Sequence, residues 1–411
     1  MIVARNFRVE QANGHWEAKC DIKSEGFPEQ LVFKVLSDTA DVIDLEEPNW
    51  AAMALIYQAM ALNRELVIEA DLSPLLLYNL RNDIQSLLCQ YEPSLTRIRI
   101  EAGNADPSSS GAKGDGVATG FSAGVDSFCT TMLFGADEVH ESLRLNTLTL
   151  FDVGAFGPTH ASEELFRKSR VACAEYAQRR GWKTYFVGSN LSEIFAPAFD
   201  KSQDGFVKTV SLRNVAAAMV LQKTLNTYLP SSSVDWASVT CGPTDYTGRL
   251  EPISLPLFAT ERLRFQSAGA GLPRIEKTNM IAHNKDAHTR LNVCVAGLDT
   301  RKTQDGLNCS RCWKCVQTML TLEVNGNLDS FHSVFDVPSF RENRREMLLM
   351  LAEYEARTGV FSDALDLARA NGMEIPALPN KTQDLASRGL QHLRRRRKRL
   401  GKRLRRIIGM T

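Results

Sequence analysis

Three thiols separated by pairs of residues, in Cys309-Ser310-Arg311-Cys312-Trp313-Lys314-Cys315, follow Cys294 at a distance of fifteen positions. Thiolates bind borderline metals, and a tetrahedral ion needs four ligands. Cys294, Cys309, Cys312 and Cys315 supply that set. Zn2+ is the expected occupant, because a four-cysteine shell is closed and leaves no position for a reacting water. A [4Fe–4S] cluster is the other occupant that four thiolates suit. The remaining Cys20, Cys89, Cys129, Cys173 and Cys241 stand apart from one another and are expected in the core.

A second segment able to do chemistry is Gly120-Phe121-Ser122-Ala123-Gly124-Val125-Asp126-Ser127, at a strand-to-helix junction. Small residues let backbone N–H groups approach an anion, and the helix that follows adds the partial positive charge of its N-terminus. Ser122 and Ser127 add hydroxyl donors, and Asp126 is placed to hold Mg2+ against phosphates. The segment is not a GxxxxGK[ST] loop, since no lysine follows the glycine. The bland alternative is a tight βα turn capped by Asp or Ser.

The elements that must position these groups form a repeating pattern. Val117–Phe121, Thr147–Val153, Lys183–Gly188 and Ala237–Cys241 read as strands. A helix from about Ser127, then Ala161–Arg180 and Val207–Tyr228, read as helices between them. Such alternation predicts an α/β fold with a doubly wound parallel sheet, whose ligand sits beyond the carboxyl ends of the strands. Upstream, Trp16–Ile22, Leu31–Val35, Leu66–Ile68 and Ile98–Ile100 read as strands and Ala51–Leu62 and Pro74–Cys89 as helices. The expected organisation is a small α+β accessory domain at 1–101, a linker at 102–116 rich in Gly, Ser and Asp, and a catalytic domain at 117–322. A helical extension at 323–380 and a basic tail at 381–411 follow.

The 411 residues are too many for one ordinary core, and 44% hydrophobic content argues against extended disorder. The formal net charge of +1 hides an asymmetry: residues 393–411 carry ten Lys or Arg and no acid, which leaves 39 basic against 48 acidic residues elsewhere. Leu393, Leu400, Leu404, Ile407 and Ile408 recur among those basic residues at roughly helical spacing. An anionic partner, the protein's own acidic body or plain solvent would each suit such a tail. The longest apolar stretch, Trp50–Leu62, is shorter than the ~20 residues of a membrane span. With no secretory pattern at Met1–Glu10 and nine cysteines in the chain, a cytoplasmic location is expected.

Ser122-Ala123-Gly124-Val125-Asp126-Ser127 closely resembles the SGGxDS signature of the PP-loop ATP pyrophosphatases, with Ala123 in place of the first glycine. Taken with the thiol cluster, it resembles one family in particular, the 7-cyano-7-deazaguanine synthases of the queuosine pathway. The resemblance runs from about Val117 to Leu322 in unbroken order. Phe151-Asp152-Val153-Gly154 is similar to the family's FDYGQ segment, Leu212-Arg213-Asn214 to its RN motif, and Cys241-Gly242-Pro243-Thr244-Asp245-Tyr246-Thr247-Gly248 to its G…DYSG stretch. Glu276-Lys277-Thr278 stands where that family has a lysine-containing segment, and the four cysteines correspond to its zinc ligands.

The resemblance implies an AMP-forming, C–N bond-forming ligase that uses ATP and Mg2+. A carboxylate or amide oxygen would attack the α-phosphate, and ammonia would then displace AMP, as with 7-carboxy-7-deazaguanine in that family. It assigns Ser122, Ala123, Gly124, Val125, Asp126, Ser127, Phe151, Asp152 and Gly242 to the nucleotide. Asp126 is assigned to Mg2+, and Arg213, Asn214, Asp245 and Lys277 to the reacting centre. The family's PDCR-like run is replaced by Arg249-Leu250-Glu251-Pro252, so the ATP machinery carries over further than the deazapurine specificity does. Two other expectations follow: modification of a partner protein or nucleic acid gripped by the added regions, and sulfur transfer to tRNA. The second would need a reactive thiol near the nucleotide or an open iron–sulfur site, and Cys129 is the nearest thiol in sequence.

Overall fold

The computed structural model describes residues 1–105, 114–156, 160–199, 205–295, 307–358 and 362–378. The basic tail and positions 106–113 of the linker lie outside them. The chain divides into two compact units, Met1–Val337 and Pro338–Thr411.

One ten-stranded sheet runs through the first unit. Its strands are β1 (Ile2–Ala12), β2 (His15–Lys23), β3 (Gln30–Leu36), β4 (Leu66–Leu72), β5 (Ile100–Asn104), β6 (Gly116–Gly120), β7 (Thr147–Asp152), β8 (Lys183–Ser189), β9 (Leu225–Tyr228) and β10 (Arg264–Phe265). They lie in the order β10-β9-β6-β7-β8-β3-β2-β1-β4-β5. β6 to β10 pair in parallel. β3, β2 and β1 continue antiparallel from β8, and β4 and β5 complete the far side in parallel. The mostly parallel sheet is flanked by helices, which is compatible with the doubly wound class.

The helices of this unit are α1 (Asn49–Ala61), α2 (Pro74–Arg81), α3 (Asp83–Tyr91), α4 (Val125–Phe134), α5 (His160–Gln178), α6 (Leu191–Phe195), α7 (Gly205–Val220), α8 (Glu251–Ser254), α9 (Arg274–Ile281), α10 (Lys285–Arg290) and α11 (Trp313–Val324). The second unit holds Arg344–Thr358, which buries Met347, Leu348, Leu351 and Ala352, and Ser362–Ala370, which buries Ala364, Leu365 and Ala368. Among the described residues, no helix is long and apolar enough to cross a membrane.

The region read as a separate N-terminal domain shares its sheet with the βαβ region. β3 would otherwise expose a row of unpaired backbone groups. It pairs with β8, and the Asn190 side chain extends the ladder, donating to Gln30 O at 2.8 Å and accepting from Val32 N at 2.9 Å. α1 reinforces the junction by packing on α7 of the other half. Every α1 residue from Asn49 to Met60 is buried, as expected of a helix that is apolar all round.

Two expected elements need correction. Pro74–Cys89 is two helices, α2 and α3, broken at Asn82 (φ −122°, ψ −86°). The expected strand at Ala237–Cys241 is not one: Trp236–Ser238 is a 3-10 turn, and the strand is β9, at the end of the run read as a continuous helix. No glycine or proline marks the end of α7, but Leu225-Asn226-Thr227-Tyr228 is rich in residues that suit a buried pleat. Thr227 is 1% exposed there.

This sheet order places the chemistry. β7 lies on one side of β6 and β9 on the other, so the order reverses at β6. A loop leaving its carboxyl end opens on the crevice where open α/β sheets hold ligands.

Candidate active site and metal centre

The β6–α4 loop is held from below. Phe121 N donates to Thr149 O of β7 at 2.8 Å, and its ring stacks on Tyr176 at 4.3 Å and meets Phe128 edge-on at 5.1 Å. Arg180 caps the other face of that aromatic group, 3.7 Å from the Tyr176 ring. Above this base Ala123 has φ +57°, a left-handed conformation that an alanine adopts at a cost. Ser122 is exposed. Ser127 is buried and its hydroxyl donates to Gly124 O at 3.0 Å, closing the first turn of α4. Gly124 is the N-cap, and no side chain caps the helix, so the amides of its first turn have no side-chain acceptor.

Asp126 stands in that first turn with cations on one side. Its Oδ2 accepts from Arg274 Nη1, and its Oδ1 lies 3.5 Å from Lys277 Nζ. Arg274 and Lys277 share a face of α9, three positions apart, and α9 packs on α4. The buried Lys277 ammonium also donates to Ser232 O at 2.6 Å. Burial opposes ionisation of Asp126, but Arg274 and Lys277 outweigh it and hold the carboxyl below its usual range. Lys314 approaches from α11. Burial and the Arg274 charge push its ammonium down, while Asp126, Cys312 and Cys315 hold it up. One carboxylate is thus ion-paired with two cationic side chains, Arg274 and Lys277. Buried Asp126 Oδ1 makes no hydrogen bond and has the Lys277 ammonium as its ion-pair partner.

Other predicted residues make contacts of their own, separate from those of Asp126. Arg213 is 3% exposed; it donates to Thr209 Oγ1 at 2.7 Å and to Val153 O at 2.9 Å, and stacks on Phe195 at 4.3 Å. It therefore ties α7 to the loop after β7, where Asp152 Oδ1 accepts from Gly154 N at 3.3 Å. Burial raises the Asp152 pKa. Phe151 stacks on Tyr228 in the core at 5.7 Å. Asn214 is half-buried on α7, and Gly242 N donates to Thr240 Oγ1 at 3.0 Å.

Asp245 turns outward: its side chain is 97% exposed and lies 3.4 Å from Lys208 Nζ, which donates to Glu92 at 2.7 Å. The next residue turns inward. Tyr246 bonds Ser233 Oγ through its hydroxyl and feels the charges of both Asp126 and Arg274. A Cβ at Gly248 would sit 2.3 Å from the Tyr246 ring, so only glycine leaves room for it.

The sequence reading missed Arg274, Lys314, Tyr246 and Glu251. Arg274 and Lys277 at i, i+3 were a readable signal, as was the position of Lys314 between two ligand cysteines. Glu251 gave none: it is 8% exposed, and burial pushes its carboxyl up to about 7.

The four cysteines converge as the spacing predicts. Their Sγ atoms lie within 4.8 Å of one another, with Cys294 to Cys312 at 4.0 Å, Cys309 to Cys315 at 4.0 Å and Cys312 to Cys315 at 3.5 Å. That spread fits a tetrahedral ion such as zinc with metal–sulfur distances of ~2.3 Å. Ser310 at φ +57° makes the turn that brings Cys309 and Cys312 together, and Cys309 Sγ accepts from Arg311 N at 3.4 Å and Cys312 N at 3.2 Å. Cys312 is the N-cap of α11, and hydrogen bonding among the thiols of Cys294, Cys312 and Cys315 lowers the pKa of Cys312 while raising that of Cys315. Of the isolated cysteines, Cys20, Cys129 and Cys173 are buried and Cys89 is half-buried; Cys241, expected in the core, is exposed on an irregular segment. Comparisons of the chain with protein-family models, curated proteins and solved structures return no match.

Proposed function

We propose that the chain is an ATP-dependent, AMP-forming ligase of the PP-loop kind, acting on a carboxylate or amide. One observation carries this reading: at the carboxyl end of β6, α4 begins without a side-chain cap, and Arg274 and Lys277 pair with the carboxylate of its first turn. Such an excess of donors and positive charge suits a polyphosphate. In this reading Ser122 and the amides of Gly124 and Val125 hold the pyrophosphate portion, and Ser127 fixes the loop. Asp126 takes Mg2+ through Oδ1. Arg274, Lys277 and Lys314 neutralise the charge that develops as pyrophosphate departs, which is the main service a protein gives phosphoryl-transfer chemistry. A bound ATP supplies the α-phosphorus that the substrate oxygen attacks, and an amine such as ammonia then displaces AMP. The four-cysteine centre holds a structural zinc.

Sulfur transfer is the weaker reading. Cys129 is 1% exposed, its Sγ lies 3.7 Å from Met280 Sδ, and burial pushes its thiol up to about 11, which suits a packed side chain better than a nucleophile. The test is incubation of the full chain with ATP, Mg2+, ammonium and 7-carboxy-7-deazaguanine. AMP and pyrophosphate are expected, and Asp126→Ala and Ser127→Ala should abolish both while zinc content stays the same. Release of ADP overturns the adenylation reading. A chain that binds ATP without turning over moves the acceptor to a protein or nucleic acid.

A further inference from the structure

The phosphate loop and the four-cysteine centre are joined by short, buried links. Asn292 N donates to Ala123 O at 2.8 Å, and a Cβ at Gly124 would lie 3.6 Å from Asn292 O. The 291–294 segment therefore lies against the loop, and two residues after Asn292 it delivers Cys294 to the metal centre. The same segment is clamped by Asn308, the residue before Cys309. Its fully buried side chain donates to Leu291 O at 2.7 Å and Val334 O at 3.0 Å, and accepts from Val293 N at 2.9 Å. Cys309 N closes the circuit on Cys294 Sγ at 3.4 Å.

Ala123 is the residue that needs this support. An alanine at φ +57° is disfavoured by roughly 5- to 30-fold against its ordinary conformations, and such strain persists only where the surroundings over-determine it. The bond from Asn292 fixes the carbonyl of the strained residue itself. Its donor stands on the segment that Asn308 and Cys294 hold.

We propose that the metal-loaded four-cysteine centre is the positioning element of the phosphate loop, with Asn308 and Asn292 as the positioning residues that hold Ala123 in its left-handed conformation. The metal ties Cys294 to the Cys309–Cys315 knuckle, the Asn308 clamp keeps Leu291–Val293 in register, and Asn292 presents its N–H to Ala123. The left-handed turn then points the following amides outward. The inference rests on the nucleotide reading for its probe, Mg2+–ATP, but not for its geometry.

Equilibrium binding of Mg2+–ATP and zinc content, both measured on the full chain, test it. Asn308→Ala should lower ATP affinity by about 5- to 30-fold. Adding Ala123→Gly should recover most of that loss, because glycine adopts positive φ without penalty. Unchanged affinity in Asn308→Ala, or a loss that Ala123→Gly does not repair, overturns the proposal. Amide hydrogen exchange gives an arm that needs neither variant. Stripping zinc from the wild-type chain with a chelator should speed exchange at residues 122–127 more than at β6, and unchanged exchange there overturns the coupling. A wild-type chain that binds no ATP sinks the nucleotide reading, while the exchange arm still decides this one.

Discussion

Two charge clusters in the first unit are built in opposite proportions. At the β6–α4 loop one carboxylate, Asp126, pairs with Arg274 and Lys277. At the junction of the two halves of the sheet one cation, Arg262, faces three carboxylates: Asp44 at 3.0 Å, Glu46 at 3.3 Å and Glu47 at 3.4 Å. The second cluster is hydrogen-bonded further, although the buried Arg262 Nε has no hydrogen-bond partner among the described residues. Gln222 donates to Asp44 at 2.7 Å and to Glu47 O at 3.0 Å, and accepts from Asn49 at 3.3 Å. Arg262 and Glu47 are 3% exposed and Asp44 is fully buried. The surplus acid at the junction is spread over hydrogen bonds and over Lys223, which lies 3.5 Å from Glu46. At the loop, Asp126 is the carboxylate paired with Arg274 and Lys277 among the described residues. The acid-rich cluster joins two parts of the chain, and the cation-rich one is where the proposed polyphosphate would bind.

Breaking the joint should have the largest effect on stability. Arg262→Met leaves Asp44 and Glu47 buried without a counter-charge, and should cost about 3–5 kcal/mol in chemical denaturation. The fraction that remains folded should bind ATP as the parent does. Loss of stability below about 1 kcal/mol would show that the two halves are held by α1 and α7 packing instead.

Glu251 sharpens the comparison, because it is a buried carboxyl with no ion pair among the described residues. Its folded pKa of about 7 lies above the ordinary 4.5, so the folded state favours the neutral acid. That contribution is complete below about pH 4.5 and is lost as pH rises through about 7. Glu251→Gln should therefore be more stable than the parent at pH 8 by about 3 kcal/mol, with the advantage gone at pH 4.5. Denaturation curves at the two pH values check this, and a pH-independent difference would contradict it. The smallest effect belongs to the surface. Arg8 and Asp21 pair at 3.0 Å across β1 and β2 with about a third of each side chain exposed, and Arg8→Ala should shift stability by less than about 1 kcal/mol.

The sequence made the metal centre legible because ligand spacing is local: a CxxCxxC run can meet on one ion with little help from the rest of the fold. The strand-to-helix junction at the β6–α4 loop was legible for the same reason, and so were β7, β8 and α5, whose patterns match their environments. What stayed hidden depends on tertiary context. β1 carries Arg5, Arg8 and Glu10 among its apolar residues and has a bulge near Asn6 (φ +54°), so its alternation is broken. β9 follows the alanine-rich α7 with no breaker between them. Nor could any local pattern show that β3 would pair with β8 and merge two expected domains into one sheet. At the site, the DY pair drew attention to its aspartate, but Asp245 faces solvent and Tyr246 faces the charge cluster. Adjacent residues on an irregular segment point to opposite sides, and only the packing on Gly248 decides which one turns inward.

The central claim is that the unbalanced cationic cluster at the β6–α4 loop is a polyphosphate site. Equilibrium binding of Mg2+–ATP to the wild-type chain and to Arg274→Ala tests it most directly. The account predicts binding to the wild type and an affinity lower by about 10- to 100-fold in the variant, with the unfolding midpoint nearly unchanged. No binding to the wild type, or equal affinity in both proteins, would contradict it.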